Sequence, residues 1–437
     1  MNKIHKIKLV ILALLCLVLM YELFRDTFAK LGDFQGYVEA GNLVIEAQNI
    51  YTNPEINTWP PFFSIVSVPL ALIDSLSRYL VRFIWLAGSL IAMFFIMSYT
   101  TKLSVGQGLA IFPLKTGHGT MHNSISILHR IVLIPLLISL RFIMDNMSNI
   151  QINIFMLLLA MAAIYNFAHD RNILAAIILA FSISLKVYTI FLFLYFVIKR
   201  EYKIVAYTLL FLLIFCSIPF FVFGIEQTLD YYRFWYTENV IPFASIGHKN
   251  QSFFSMMRSL LMHESPALEG HLDQAIYVNI IDLSLQQTKF VAYIIVAAAG
   301  LFVCYLFRLK LTSKTSLQSF IEYAFILSII PLLSPIAWKA YFIFLFPAYF
   351  VNYLFLFAIS NSFNNKLLLF QRMLFFVSIA LTVFSSELFV GGYFSDVLEV
   401  YSCITIGSIL LASNLLIFYT NFMKCCGSLS FLKYTVT

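Results

Sequence analysis

One carboxylate and three cations, far apart in the sequence, are the residues of this chain whose types could do chemistry together. Asp33 follows the first apolar run, and the cations are Lys186, Arg258 and Lys339. A carboxylate can remove a proton from a hydroxyl group that attacks as a nucleophile. Cations can stabilise the charge that develops on a departing phosphate group. If the fold brings the four side chains together, the set suits displacement of a phosphate leaving group by a hydroxyl.

Asp33 also has a purely structural interpretation. In residues 34–46, apolar side chains recur every three or four positions with polar side chains between them, as in an amphipathic helix that lies in a membrane interface. Asp33 directly precedes this segment, and Asp is a favoured N-cap residue that stabilises a helix by about 1 kcal/mol. Position alone favours the cap, although the roles are compatible because a cap fixes the residue's place.

Lys186 interrupts the apolar run from Ile173 to Ile198. Ionisable residues within membrane segments are costly and usually face an interior cavity. Alternatively, the long side chain could extend its charged end to the membrane surface. The sequence leaves both interpretations open.

Amide and aromatic side chains supply candidate contacts to a sugar or an acceptor. Amides can hydrogen-bond hydroxyl groups, but they can equally cap a helix, join two helices or lie in a solvated loop. Aromatic residues such as Trp also suit the membrane interface. The predicted contacts are Tyr37, Gln151, Asn153, Asn250, Gln251 and Trp338.

Composition indicates a protein that crosses a membrane many times. Of 437 residues, 61% are hydrophobic and 11% are charged, and the mean hydropathy is +0.88, whereas soluble domains carry about 25% charged residues. The six cysteines show no zinc-binding spacing with histidine, so we predict no metal. Membrane orientation explains the net charge of +7 better than a nucleic-acid partner does.

The apolar runs predict a single all-α integral-membrane domain over residues 1–437. We expect about 11 to 14 transmembrane or re-entrant helices, because several runs are shorter than the roughly 20 residues that a spanning helix needs. The first run lacks a signal-peptide cleavage site and is expected to remain as a span. The predicted spans are residues 7–24, 61–74, 83–99, 104–115, 125–143, 151–168, 171–185, 187–199, 203–223, 286–307, 317–334, 340–360, 368–385 and 398–420.

Lysines and arginines set the predicted orientation. Three lysines precede the first run, which places the N-terminus in the cytoplasm. Alternating spans then concentrate Lys and Arg inside and Asp and Glu outside, with both termini cytoplasmic. The two long segments between spans, residues 25–60 and 224–285, and all four candidate catalytic side chains fall on the outer face. We therefore predict an outward-facing active site in a multi-pass protein of the plasma (inner) membrane.

At these residues the chain resembles glycosyltransferase family 87, membrane transferases of the GT-C superfamily that include bacterial α-mannosyltransferases. The resemblance covers residues 31–350. Three positions depart from the family's motifs: Ile150 replaces Gly, Val187 replaces Pro, and Ala340 with Tyr341 stand where the family often carries two histidines. The matching motifs are Asp33-Phe34 with Tyr37, Tyr51, Trp59-Pro60-Pro61-Phe62, Gln151 with Asn153, Lys186, Asn250-Gln251-Ser252 with Arg258, and Ser334-Pro335 with Trp338.

The resemblance implies a GT-C fold, a polyprenyl-phosphate sugar donor, inversion at the anomeric carbon and no nucleotide cofactor. It also implies Asp33 as the general base. The missing histidines leave the mannose specificity of the bacterial members open.

The leading hypothesis is a metal-independent hexosyltransferase that moves a hexose to a hydroxyl of a lipid- or glycan-linked acceptor. Lys186, Arg258 and Lys339 would hold the donor phosphate. Two alternatives are a flippase or other transporter of lipid-linked glycans, and an O-antigen ligase or polymerase that uses a diphosphate-linked glycan. Transporters often place their binding residues across internal repeats, and no repeat is visible in this sequence.

Overall fold

The computed structural model describes most of the chain, and its described residues form helices joined by turns and loops, without a strand. This confirms the prediction of an all-α protein. The predicted span at residues 7–24 lies almost wholly outside the described residues, as does most of the one at 104–115. The described residues are 32–53, 57–105, 131–240, 242–245, 247–264, 270–309, 311, 313–358 and 365–427, with Tyr21, Arg25 and Phe28.

The described helices are numbered in chain order. The α-helices are α1 (Phe34–Ile45), α2 (Pro61–Leu76), α3 (Arg78–Val105), α4 (Ile131–Ile138), α5 (Leu140–Ser148), α6 (Asn153–Ala168), α7 (Asn172–Leu185), α8 (Ile190–Ile198), α9 (Tyr202–Phe223), α10 (Ile225–Trp235), α11 (Phe253–Leu261), α12 (Leu285–Phe307), α13 (Leu317–Leu333), α14 (Phe346–Tyr353), α15 (Asn365–Thr382), α16 (Glu387–Val390), α17 (Gly392–Val400) and α18 (Cys403–Gly427). Short 3₁₀ or π turns cover Val187–Thr189, Tyr236–Val240, Lys339–Leu345 and Leu354–Ala358.

Among the described residues, five helical segments are long and apolar enough to cross a membrane. The bent pair α4–α5, with an angle of 55° between its halves, makes a sixth candidate. Further apolar helices of 10–17 residues, including α2, α6, α7 and α13, accompany them. The chain is therefore a multi-pass membrane protein. The five long segments are Arg78–Ser104, Tyr202–Phe223, Leu285–Phe307, Lys339–Phe357 and Cys403–Asn421.

Serine N-caps start the helices α11, α12 and α13. The hydroxyl oxygens of Ser252 and Ser316 accept hydrogen bonds from the backbone N–H groups three residues later. Ser284 forms a reciprocal capping box with Gln287 at the start of α12. Each cap satisfies a backbone donor that the helix itself leaves free, so these boundaries follow from local sequence.

The predicted amphipathic helix exists as α1, and it packs closely against α2. A Cβ atom on Gly41 would lie 2.5 Å from the backbone oxygen of Ser67, so only glycine permits this approach. The apolar face of α1 is buried in the protein. Tyr37 contacts the rings of Phe34, Trp59 and Phe63. This packing holds the start of α1 in place.

The apolar run around Lys186 is broken at that residue. α7 ends at Leu185, and Lys186 has an extended backbone with φ −147° and ψ 121°. A 3₁₀ turn and α8 follow. The break directs the Lys186 side chain into the protein, where it is 5% exposed.

Candidate functional site

The backbone before Asp33 is fastened to the turn that follows α5. The Asp33 N–H group donates a hydrogen bond of 3.1 Å to the backbone oxygen of Asn149. Gly32 has a φ of +56°, and a Cβ atom there would lie 2.5 Å from the same oxygen. Glycine is thus required on both conformational and steric grounds, and it sets the position of Asp33.

The turn on the other side of this contact contains a strained residue. Ile150 has a φ of +51°, in the left-handed region that costs an L-residue with a Cβ roughly 1–2 kcal/mol. The Gln151 N–H group donates to Asn146 O at 2.8 Å, which closes the end of α5 in the manner typical of left-handed C-caps. This backbone conformation is a physical reason for the glycine in the family's motif.

The Asp33 carboxylate does not cap the helix that it precedes. The residue occupies the N-cap position of α1, but its side chain makes no capping hydrogen bond. No described residue hydrogen-bonds to the carboxylate. Burial raises the pKa of the Asp33 carboxyl, and the positive charge of Lys186 partly offsets the rise. A half-buried carboxylate without a hydrogen-bond partner is suited to accept a proton.

Lys186 is the cation whose charge acts on the Asp33 carboxyl, and its own contacts are weak. Its Nζ atom lies 3.5 Å from Asn153 Oδ1 and 3.4 Å from the Tyr341 hydroxyl. It also lies over the rings of Tyr188 and Tyr341, at 5.2 and 4.8 Å from their centres. Among the described residues no carboxylate oxygen lies within 4 Å of it. The side chain is buried, so it does not extend to the surface.

Two tyrosines complete this cluster. The Tyr188 and Tyr341 hydroxyl groups are 2.6 Å apart, and both interact electrostatically with Asp33. We call Asp33, Asn153, Lys186, Tyr188 and Tyr341 the Asp33 site. Sequence analysis missed the role of both tyrosines, although Tyr341 stands at a departure from the family's motif and Tyr188 lies two residues after Lys186.

Gln151 and Asn153 are oriented by each other at the edge of the site. Asn153 Nδ2 donates to Gln151 Oε1 at 2.6 Å. The Gln151 Nε2 group is buried and has no hydrogen-bond partner. An unpaired buried donor costs about 1–3 kcal/mol, so a ligand oxygen would find a ready donor here.

The other two predicted cations are bound to carboxylates, without contact to Asp33 among the described residues. Lys339 Nζ lies 2.8 Å from Glu399 Oε1 and 3.4 Å from Glu387 Oε1. Arg258 Nε lies 2.8 Å from Glu264 Oε2. Lys339 is nevertheless only two residues before Tyr341, at the border of the Asp33 site.

The remaining predicted contacts have other partners in the structure. The Asn250 side chain bonds to the backbone of Ser245, Ser252, Pro335 and Ala337. Gln251 Nε2 donates to the backbone oxygens of His248 and Glu399. Tyr37 is fully buried and accepts a hydrogen bond from Ile152 N. Trp338 is 44% exposed, so of these four side chains it is the most accessible to a ligand.

The fold and the Asp33 site define an all-helical, multi-pass membrane protein with a half-buried carboxylate and a buried lysine. The model of glycosyltransferase family 87 matches residues 57–335, well over half of the chain, and the chain belongs to this family of glycosyltransferases. The match includes Asn153, Lys186 and Arg258 but not Asp33 or Lys339. No curated protein and no solved structure matches the chain.

Proposed function

We propose that this glycosyltransferase is of the GT-C type and transfers a hexose, such as mannose, from a polyprenyl-phosphate donor to a hydroxyl group of a lipid- or glycan-linked acceptor. The observation that carries the proposal is the Asp33 carboxylate, which has no hydrogen-bond partner among the described residues and interacts with Lys186, a lysine that itself contacts no carboxylate of the described part of the chain. The pair matches the two demands of the reaction. One group accepts a proton, and the other compensates the charge of a phosphate.

In the proposed reaction, Asp33 accepts the proton of the acceptor hydroxyl. The acceptor oxygen forms a bond to the anomeric carbon as the bond from that carbon to the phosphate oxygen breaks. The bonding electrons leave with the polyprenyl phosphate. Attack on the face opposite the leaving group inverts the anomeric configuration.

Lys186 is the preferred phosphate contact in this proposal. Its two hydrogen bonds are long, so its ammonium group retains capacity for an anionic oxygen. The unpaired Gln151 Nε2 donor would bind a phosphate or sugar oxygen nearby. Lys339 and Arg258 enter as weaker phosphate contacts, because each would have to exchange a carboxylate for the phosphate.

We further propose that the site faces the outside of the plasma membrane. This rests on the lysine and arginine distribution described above. An outward-facing enzyme has no access to cytosolic nucleotide sugars, which favours a lipid-linked donor. A half-buried site beside apolar helices also suits a donor that arrives from within the bilayer.

The decisive test is Asp33→Asn in the full chain, purified and assayed with a panel of labelled polyprenyl-phosphate sugars. Loss of the general base is expected to lower turnover by about 10²–10⁴-fold. The melting temperature should stay near that of the wild type, because the side chain makes no capping bond.

Asp230→Asn is the matched control, since it makes the same chemical change in an exposed ion pair with Arg233. Its turnover should equal that of the wild type. Normal turnover in Asp33→Asn would refute the assignment of the base. A wild type inactive with every polyprenyl-phosphate sugar, yet active with nucleotide or diphosphate-linked sugars, would refute the donor class.

A further inference from the structure

A second polar cluster lies where the loop before α11 meets α17. We call its three members, His248, Asp396 and Glu399, the His248 cluster. All three are buried, and one candidate ligand atom from each lies within 4.8 Å of the other two. Asp396 and Glu399 are three residues apart on α17, so they share a face of that helix. An imidazole with two carboxylates is a donor set typical of divalent transition metals.

The cluster contains buried polar atoms without partners. The His248 side chain is 0% exposed, and neither of its ring nitrogens has a hydrogen-bond partner among the described residues. Its Nε2 atom lies 3.5 Å from Asp396 Oδ1. Glu399 Oε2 is also buried and unpaired. Leaving such atoms unpaired costs about 1–3 kcal/mol each, and one shared cation would satisfy one ring nitrogen of His248 and Glu399 Oε2 together.

The second oxygen of each carboxylate is bound by residues outside the cluster. Asp396 Oδ2 accepts a hydrogen bond of 2.7 Å from the His271 N–H group. A Cβ atom on Gly270 would lie 2.5 Å from the same oxygen, so glycine allows this loop to approach. Glu399 Oε1 is bound by Arg141 at 3.1 Å and by Lys339 at 2.8 Å. Metal-binding carboxylates are typically oriented by such outer contacts.

The charges around the cluster are unbalanced. Among the described residues of this network, the carboxylates outnumber the cations by two when the histidines are neutral. A divalent cation would balance the excess. The carboxylates are Asp145, Glu387, Asp396 and Glu399, and the cations are Arg141 and Lys339.

We propose that His248, Asp396 and Glu399 bind one divalent transition-metal ion, Zn²⁺ or Mn²⁺. The three ligand residues are buried, and the ion joins the loop before α11 to α17. It also orients Glu399, which holds Lys339 at the border of the Asp33 site. The sequence predicted no metal because Cys and His show no zinc-binding spacing. Such spacing cannot reveal ligands that come from distant segments of the chain. The proposal does not depend on the sugar-transfer function.

The test uses the full chain in detergent micelles, freed of metal with a chelator and then equilibrated with Zn²⁺ or Mn²⁺. Elemental analysis after desalting is expected to find one ion per chain, and the ion is expected to raise the melting temperature. His248→Gln should weaken binding by at least about tenfold. His263→Gln, which changes an exposed histidine in the same segment, should bind as the wild type does.

Two outcomes overturn the proposal. A metal-free wild-type chain that takes up neither ion shows that His248 and Asp396 form only a histidine–carboxylate pair. Equal binding by His248→Gln and the wild type places the ion elsewhere, on exposed side chains. If His248→Gln does not fold, Asp396→Asn takes its place, with Asp282→Asn as the control.

Discussion

Two buried lysines lie at opposite ends of the same short apolar segment and have very different surroundings. Lys199 Nζ lies 2.7 Å from Glu322 Oε2, and donates to Glu322 Oε1 at 2.8 Å and to Leu309 O at 3.0 Å. Tyr195 donates to the same carboxylate at 2.7 Å. Within the described part of the chain, Lys186 has two long hydrogen bonds and two aromatic faces. One lysine is saturated, and the other is not.

The difference separates a charge that the protein satisfies by itself from one that it satisfies only in part. A buried charge is costly unless it is paired and hydrogen-bonded. The Lys199–Glu322 pair meets this condition within the protein, so it needs no ligand. Lys186 meets it only in part, and an anionic substrate would complete its coordination. Burial of a lysine is therefore less informative than the list of its partners.

The largest expected effect is on stability, at the saturated lysine. Lys199→Met leaves Glu322 as a buried charge without its cation, which should destabilise the protein by about 3–5 kcal/mol. Thermal unfolding in detergent micelles would measure it. The double variant Lys199→Met/Glu322→Leu should recover part of the loss, because apolar replacement of a buried pair is often neutral. A single variant as stable as the wild type would contradict the structural role.

Lys186→Met should have the opposite effect, with a large loss of turnover and a small loss of stability. Loss of the cation that we propose binds the donor phosphate is expected to lower turnover by about 10²–10³-fold, with a smaller loss of melting temperature than Lys199→Met produces. The measurement pairs initial rates with thermal unfolding. Lys203→Met, at an exposed lysine, serves as the control. If Lys186→Met keeps its rate but loses as much stability as Lys199→Met, the comparison fails.

The smallest effect concerns pH. The proposed base Asp33 can accept a proton only when it is ionised, so kcat/KM should fall about tenfold per pH unit below its pKa. Burial raises the pKa of Asp33, which places this acid limb above that of an ordinary aspartate, near 4. Lys186→Met removes a charge that opposes the rise, so the limb should move to higher pH. If the acid limb of Lys186→Met stays at the wild-type pH, the charge of Lys186 does not act on the group that titrates.

Local sequence was sufficient to predict the boundaries of several helices. The predicted spans at 171–185, 203–223 and 286–307 agree within a residue or so with α7, α9 and α12. These boundaries follow from apolar run length, breaks and serine caps, which are local properties. The family was also predictable, because its motifs are local groups of residues spread in order along most of the chain.

The partners of the polar residues were not predictable. Asn250 was expected to contact a sugar, but its side chain joins distant backbone segments, including Pro335 and Ala337. Glu399 binds both Arg141 and Lys339, and no motif in the sequence indicates this. A hydrogen bond depends on which segments pack together, and residue type alone does not specify that.

By itself, the sequence determined that this is an all-helical membrane glycosyltransferase with Asp33 at the start of an amphipathic helix, because hydropathy, helix caps and motifs are written in neighbouring residues. Only the tertiary structure decided which polar groups are satisfied. It paired Lys199 with Glu322, gave Lys186 and Asp33 no strong partner among the described residues, and brought His248 to Asp396 and Glu399. The physical reason is that the energy of a buried polar group depends on its neighbours in space.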